Sequence, residues 1–259
     1  MNVELFLNLF LQNWHILVLF FLIAMCYSSV GFGGGSSYLA ILSLTSLAFV
    51  EIRATALLCN IVVVSGNVFM FHREKIYRYK KILPLLIFSV PFAFLGGLLR
   101  ISETLFFILL GFTLLFAAIT MWVSKKIVSE KNSEITINYK KNSLFGGFIG
   151  FLSGLVGIGG GIFLAPILHL SNWDTPKRIA ATASLFILVN SIAGLLGQYS
   201  NPDFYINWNI TLILIVVVFL GGFIGNKLRN KLLSPVKLKK ATALLIAIIS
   251  IKILAEQLL

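Results

Sequence analysis

The run GFGGG at 31–35 puts four glycines into five residues of otherwise apolar sequence, and GIGGG repeats the device at 157–161, 126 positions further on. A helix does not continue cheaply through such a cluster, since each interior glycine costs about 0.5–1 kcal/mol relative to alanine. Two more patches keep nearly the same register. Ala54-Thr55-Ala56 answers Ala181-Thr182-Ala183 at an offset of 127, and Leu95-Gly96-Gly97 answers Leu220-Gly221-Gly222 at 125. Three agreeing offsets mark an internal duplication, so the chain is expected to fold as two copies of one unit, each broken once near its start.

The setting of those breaks is a bilayer. Of 259 residues 58% are hydrophobic and 12% charged, about half the charged share of a soluble domain. Segments 54–71, 82–99, 104–123, 179–199, 208–225 and 240–255 approach the roughly 20 apolar residues that cross a hydrocarbon core. The expected class is an all-α polytopic membrane protein, with a first transmembrane repeat over 1–123, a cytoplasmic linker over 124–142 and a second, inverted transmembrane repeat over 143–259. The opening fourteen residues carry Glu4 and no Lys or Arg, the wrong charge for a secretory n-region, so no cleaved leader is expected.

The inversion is read from loop charge. Loop 72–81 holds five basic residues and its counterpart 200–207 none, whereas the turn at 99–102 holds only Arg100 and its counterpart 226–240 holds six. Basic loops stay cytoplasmic, so equivalent loops of opposite bias imply halves inserted in opposite senses. If 14–48 and 143–170 each enter and return on one side as re-entrant hairpins followed by three plain helices, loops 72–81, 124–143, 171–178 and 226–240 together hold 18 of the 21 Lys and Arg on one side. This reading puts both termini outside. The net charge of +12 is then explained by orientation, without nucleic acid as a partner.

The arms Trp14–Val30, Ser36–Val50, Leu144–Val156 and Ile162–Leu170 suit broken helices meeting near mid-membrane. Unwound backbone at that depth must line a protein-walled or watery cavity. Helix N-termini that follow such breaks offer free N–H groups and partial positive charge to an anion. The candidate substrate-binding residues are Gly33, Gly34, Gly35, Ser36, Ser37, Thr55 and Asn60 in the first half, and Gly159, Gly160, Gly161, Thr182, Ser184 and Asn190 in the second. Two plainer roles stand beside this one: glycines spaced by three or four, as at 147, 150, 154, 157 and 161, let helices pack closely, and buried hydroxyls and amides bond neighbouring helices. Arg53 and Arg178 either gather anions at opposite mouths or anchor helix ends.

Enzymatic chemistry finds little to use. His15, His72 and His169 lack metal-ligand spacing, neither glycine cluster matches G-x-G-x-x-G, and no Gly-Lys pair exists for a P-loop. No cofactor or metal is expected. Asp174, Glu51 and Glu103 fall at loop positions, which leaves a proton to travel on the substrate, on His169 or through groups not identified. Cys26 and Cys59 read as packing residues; Leu152 and Phe186 stand at their offset positions, which disfavours a thiol relay.

With G-F-G-G-G-S at 31–36, G-L-V-G-I-G-G-G-I-F-L-A-P-I-L at 154–168 and R-I-A-A-T-A-S at 178–184, the chain resembles the TauE/SafE family of membrane permeases over essentially its whole length. That resemblance implies a multi-pass cell-membrane transporter, in the cytoplasmic membrane of a prokaryote, for a small sulfur-containing or organic anion such as sulfite, a sulfonate or sulfoacetate. The alternatives are a passive anion channel and a non-transporting membrane scaffold.

Overall fold

The computed structural model describes residues 3–123, 139–171, 173–228 and 235–258. The described residues form ten helices: α1 Val3–Ser29, α2 Gly35–Leu42, α3 Phe49–Arg73, α4 Tyr79–Leu98, α5 Glu103–Val123, α6 Tyr139–Val156, α7 Gly161–Leu170, α8 Pro176–Tyr199, α9 Trp208–Lys227 and α10 Pro235–Leu258. The all-α expectation holds, and five of these helices, α3, α4, α5, α8 and α9, are long and apolar enough to cross a membrane. Linker 124–138, loop 229–234 and the side chain of His169 lie outside the described residues.

Each half runs in the same order: a long helix, a glycine break, a short helix, then three long ones. Gly31 and Gly157 open the two breaks at φ 87° and 86°, and Gly34 and Gly160 close them at φ 92° and 79°, a left-handed backbone that residues with a Cβ rarely adopt. The first arm is longer than expected. No breaker interrupts residues 3–13, so α1 extends to 27 residues, about 40 Å. The return arm is shorter, because α2 stops at Leu42, where the Thr45 hydroxyl takes up the Leu42 carbonyl at 2.6 Å, and α3 starts afresh at Phe49. Glu51 belongs to the first turn of α3 rather than to a loop, and accepts the Ala48 N–H at 3.0 Å.

Packing interleaves the two halves. Helix α1 lies against α9 and α4 against α6; α3 meets α8 and α5 meets α10. The exchange is reciprocal, since α1 and α9 hold the positions in their halves that α6 and α4 hold in theirs. Small residues set the approach distances. A Cβ at Gly146, Gly150 or Gly154 of α6 would collide with the α4 carbonyl of Leu85, Ser89 or Ala93, and one at Gly221 or Gly225 of α9 with the α1 carbonyl of Phe21 or Met25. Gly147, one residue off that stripe, meets only side-chain carbons of Phe88 and Phe92 at 3.5 Å or more. Outward-facing side chains are large and apolar, among them Leu83, Ile87, Phe112, Phe116, Val216 and Phe219, as a surface bathed in lipid requires.

Charge collects at the two ends. Asp174, between α7 and α8, pairs with Lys81 and Arg78 at 3.4 Å and with Arg178 at 3.3 Å. Burial by itself raises the Asp174 carboxyl, but the Thr175 N–H, Lys81, Arg178 and Arg78 outweigh it and hold the group below the ordinary 3.8. Arg178 is thus a partner of this clamp. About 30 Å away along α4, Arg100 pairs with Asp203 at 3.5 Å. Loops 72–81 and 171–178 therefore share one face, and 99–102 and 200–207 the other.

Candidate functional site

The two glycine loops meet on the side chain of Asn60, halfway along α3. A Cβ at Gly33 would strike its carbonyl oxygen, while one at Gly35 or Gly159 would strike its amide nitrogen. The loops also touch each other, since the position of a Gly35 Cβ is 2.6 Å from the Ile158 carbonyl oxygen. Asn60 is 1% exposed. Its Nδ2 donates to the Ile158 carbonyl at 3.2 Å and to Ser191 Oγ at 3.3 Å, and its Oδ1 has no hydrogen-bond partner.

Both short helices present their N-termini here. In α2 the N–H groups of Ser37 and Tyr38 return to the Gly34 carbonyl at 2.9 and 3.0 Å; in α7 those of Phe163 and Leu164 return to Gly160 at 3.2 and 3.1 Å. The preceding N–H groups, on Gly35 and Ser36 and on Gly161 and Ile162, lie ahead of the first intrahelical bonds. They carry the positive end of each helix dipole.

Polar residues brace the loops from α3 and α8. Asn67 Nδ2 holds the Phe32 carbonyl at 3.0 Å, and Ser184 Oγ bonds the Gly31 carbonyl. The Ser28 hydroxyl lies 2.9 Å from Asn67 Oδ1. At the other loop, Arg53 is buried at 4% exposure, packs its Cα and Cβ against Gly157, and gives Nη2 to the Gly154 carbonyl at 3.3 Å, with Nε unpartnered. The guanidinium thus sits at the last turn of α6, whose carbonyl end it caps, and does not reach out to a membrane edge as an anchor would.

The predicted residues separate into two groups. Gly33, Gly35, Asn60 and Gly159 come together at the junction. Gly34 packs beside Ile23 and the Tyr38 hydroxyl, Gly160 against Phe186 and Ser153, and Gly161 against Ile187, each directly flanking it. Ser36 and Thr182 are buried, and Ser37 Oγ bonds Tyr27 Oη at 3.0 Å. Thr55 and Asn190 point elsewhere: Thr55 bonds Thr211 of α9 at 2.9 Å, and Asn190 bonds Ser89 of α4 at 3.1 Å. Those two serve helix-to-helix bonding.

From the sequence, Arg53 was expected at a mouth or as a helix anchor, and Asn67, Ser191 and Gln198 were not singled out. A signal was present. Arg53, Asn60 and Asn67 recur at seven residues on α3, and Ser184, Ser191 and Gln198 at seven on α8, so each set falls on one helical face. The Asn60–Ser191 bond, and the neighbouring Asn67–Phe32 and Ser184–Gly31 bonds, set the helices antiparallel. Register then brings Gln198 to the level of Arg53, about 10 Å beyond Asn60. Gln198 is 3% exposed with both amide atoms unpartnered. The α3–α8 interface is a polar seam inside an apolar molecule.

Comparison with known proteins places this chain among membrane transporters. The family model described as sulfite exporter TauE/SafE matches residues 16–253. The chain is 31% identical to a probable membrane transporter of Sinorhizobium fredii, y4hK, over 92% of this chain and 96% of that protein. It is 28% identical to a probable membrane transporter of Methanocaldococcus jannaschii, MJ0441, over 69% and 70% of the two chains. No solved structure matches.

Proposed function

Because the chain belongs to the TauE/SafE sulfite exporter family and is a multi-pass membrane transporter, we propose that it is a secondary carrier for a small sulfur-containing or organic anion, such as sulfite, a sulfonate or sulfoacetate, working by alternating access at the junction of its glycine loops. The observation that carries this reading is the convergence of both loops, from opposite halves, on the buried Asn60. Two helix N-termini bring unclaimed N–H groups to that point, and the nearest fixed charge along the seam is Arg53, which forms no ion pair with a carboxylate among the described residues. Positive charge with no carboxylate paired to it favours a negatively charged guest.

In this reading Gly33, Gly34, Gly35, Ser36, Asn60, Gly159, Gly160 and Gly161 form the binding site, joined by Ser191. Ser37, Thr55, Thr182, Ser184 and Asn190 hold the surrounding helices. The halves are inverted repeats, with the face bearing Arg78, Lys81 and Asp174 cytoplasmic. The reciprocal exchange of helices supports a two-fold relation, and in this reading two bodies move. One is α1, α2, α3 and α9; the other is α6, α7, α8 and α4; they rock about the α3–α8 seam. A carrier is favoured over a continuous pore because Asn60 fills the gap between loops that already touch.

Counterflow in proteoliposomes tests this. Saturable exchange of labelled sulfite or sulfonate is expected, and Gly160→Val in a correctly inserted protein abolishes it, since φ 79° and the Phe186 ring 2.8 Å from the added Cβ leave no room. Linear conductance without counterflow, or unchanged flux in the variant, overturns the carrier reading.

A further inference from the structure

The junction supplies hydrogen-bond donors in excess; of the unpartnered buried atoms around it, the Tyr38 and Ser153 hydroxyls beside Gly34 and Gly160 can donate or accept, and Asn60 Oδ1 can only accept. The orientation of the Asn60 amide is fixed by its partners: the Ile158 carbonyl can only accept, so the atom 3.2 Å from it is the nitrogen, and the oxygen is the orphan. That oxygen is on a side chain 1% exposed and lies against Gly33, on the lip of the first glycine loop. A guest held only through its negative oxygens, on N–H groups at the helix starts, leaves Oδ1 buried and unpaired. One that also carries an N–H or O–H satisfies both sides at once.

We infer that the transported anion bears a hydrogen-bond donor, and that Asn60 Oδ1 selects such anions (hydrogen oxyanions, or organic anions with a hydroxyl or amino group) over aprotic ones of equal charge and shape. This deepens the proposed function and rests on the loop junction being the binding site. It also bears on proton movement. Glu51 sits in the first turn of α3 and Glu103 opens α5, both at helix ends, whereas a monoprotonated cargo carries its own proton across.

Sulfamate and methanesulfonate isolate the effect, being singly charged sulfonyl anions of nearly equal size that differ in an amino group against a methyl. In wild-type protein, competition with labelled sulfite in the counterflow assay should show sulfamate binding about tenfold or more tightly than methanesulfonate, the usual cost of leaving a buried acceptor unpaired. In Asn60→Leu, which keeps the branched side-chain outline and removes the acceptor along with the amide donor to the Ile158 carbonyl, that preference should vanish. Methanesulfonate competing as well as sulfamate in the wild type overturns the inference with no variant needed, as does a preference that survives in Asn60→Leu, or competition by neither probe. Gly159→Ala separates the two levels of argument. If it abolishes sulfite exchange while the probes compete equally in the wild type, the junction remains the site and only the donor requirement falls. Exchange unaffected by Gly159→Ala removes the site itself.

Discussion

Gly154 and Gly147 lie on the same helix two turns apart, and the structure gives their replacement by alanine opposite outcomes. A Cβ at Gly154 falls onto the Ala93 carbonyl and within 2.9 Å of the Gly97 nitrogen. Both are backbone atoms of α4 and cannot rotate aside, so α4 must withdraw by about 1 Å. It cannot do so locally, because the Leu85 and Ser89 carbonyls are seated against Gly146 and Gly150 on the same stripe, and the Phe151 carbonyl against Gly96. Overpacking of this kind costs about 1–3 kcal/mol, and the gain in helix propensity returns up to about 1. The rigid neighbours place Gly154→Ala at a net loss of about 2 kcal/mol. At Gly147 the nearest atoms are side-chain carbons at 3.5 Å or more, so only the propensity gain operates and Gly147→Ala is neutral or more stable by up to about 1 kcal/mol. Equilibrium unfolding of the two variants in mixed detergent micelles measures the difference. Gly154→Ala within about 0.5 kcal/mol of wild type, or the two variants equally destabilised, would refute the view that α6 and α4 are in backbone contact.

The Asp174 clamp supplies a second test. At neutral pH Asp174→Asn should lower stability by about 1–2 kcal/mol, chiefly through Lys81, whose side chain is 13% exposed, while Arg78 at 46% is screened by solvent. Because the folded carboxyl is held below its ordinary 3.8, its contribution is complete at neutral pH and drains away as pH falls below about 4. Thermal unfolding from pH 7 to 3 should therefore show a smaller acid-dependent loss in the variant, and identical acid sensitivity would discount the clamp. Finally, Thr55→Val and Thr211→Val, made singly and together, should show a coupling of about 0.6 kcal/mol in a double-mutant cycle; additive effects would mean that the α3–α9 hydroxyl pair contributes nothing.

Much of the fold was written in local sequence. The glycine clusters show because their spacing breaks a long apolar pattern, and the six plain helices show because length alone separates a membrane span from a loop. Their partners did not show. Nothing near Thr55 in the chain announces Thr211, nor near Asn190 does anything announce Ser89, since such pairings depend on which helices come to lie side by side. That is why two residues expected at the site turned out to bond helices. The glycine series at 147, 150, 154, 157 and 161 mixed roles that only tertiary context separates: Gly150 and Gly154 admit a neighbouring backbone, Gly157 turns the chain, Gly161 makes room for Ile187, and Gly147 does none of these. Arg53 was misplaced for a related reason. An arginine at a helix start ordinarily reaches for water, but here the second loop closes over it. The seven-residue recurrence of polar residues on α3 and α8 was legible in principle, and marks the interface where Asn60, Asn67, Ser184 and Ser191 brace the glycine loops.

The exchange of partners between halves has a consequence for how the molecule is made. Helix α1 leaves the ribosome about 200 residues ahead of the surface it fits, Gly221 and Gly225 of α9. At ordinary elongation rates that delay is on the order of ten seconds or more, during which the opening segment sits in the membrane beside lipid or a chaperone with its mate still untranslated. Premature termination anywhere before α9 leaves the Phe21 and Met25 carbonyls of α1 without the glycine surface they pack against.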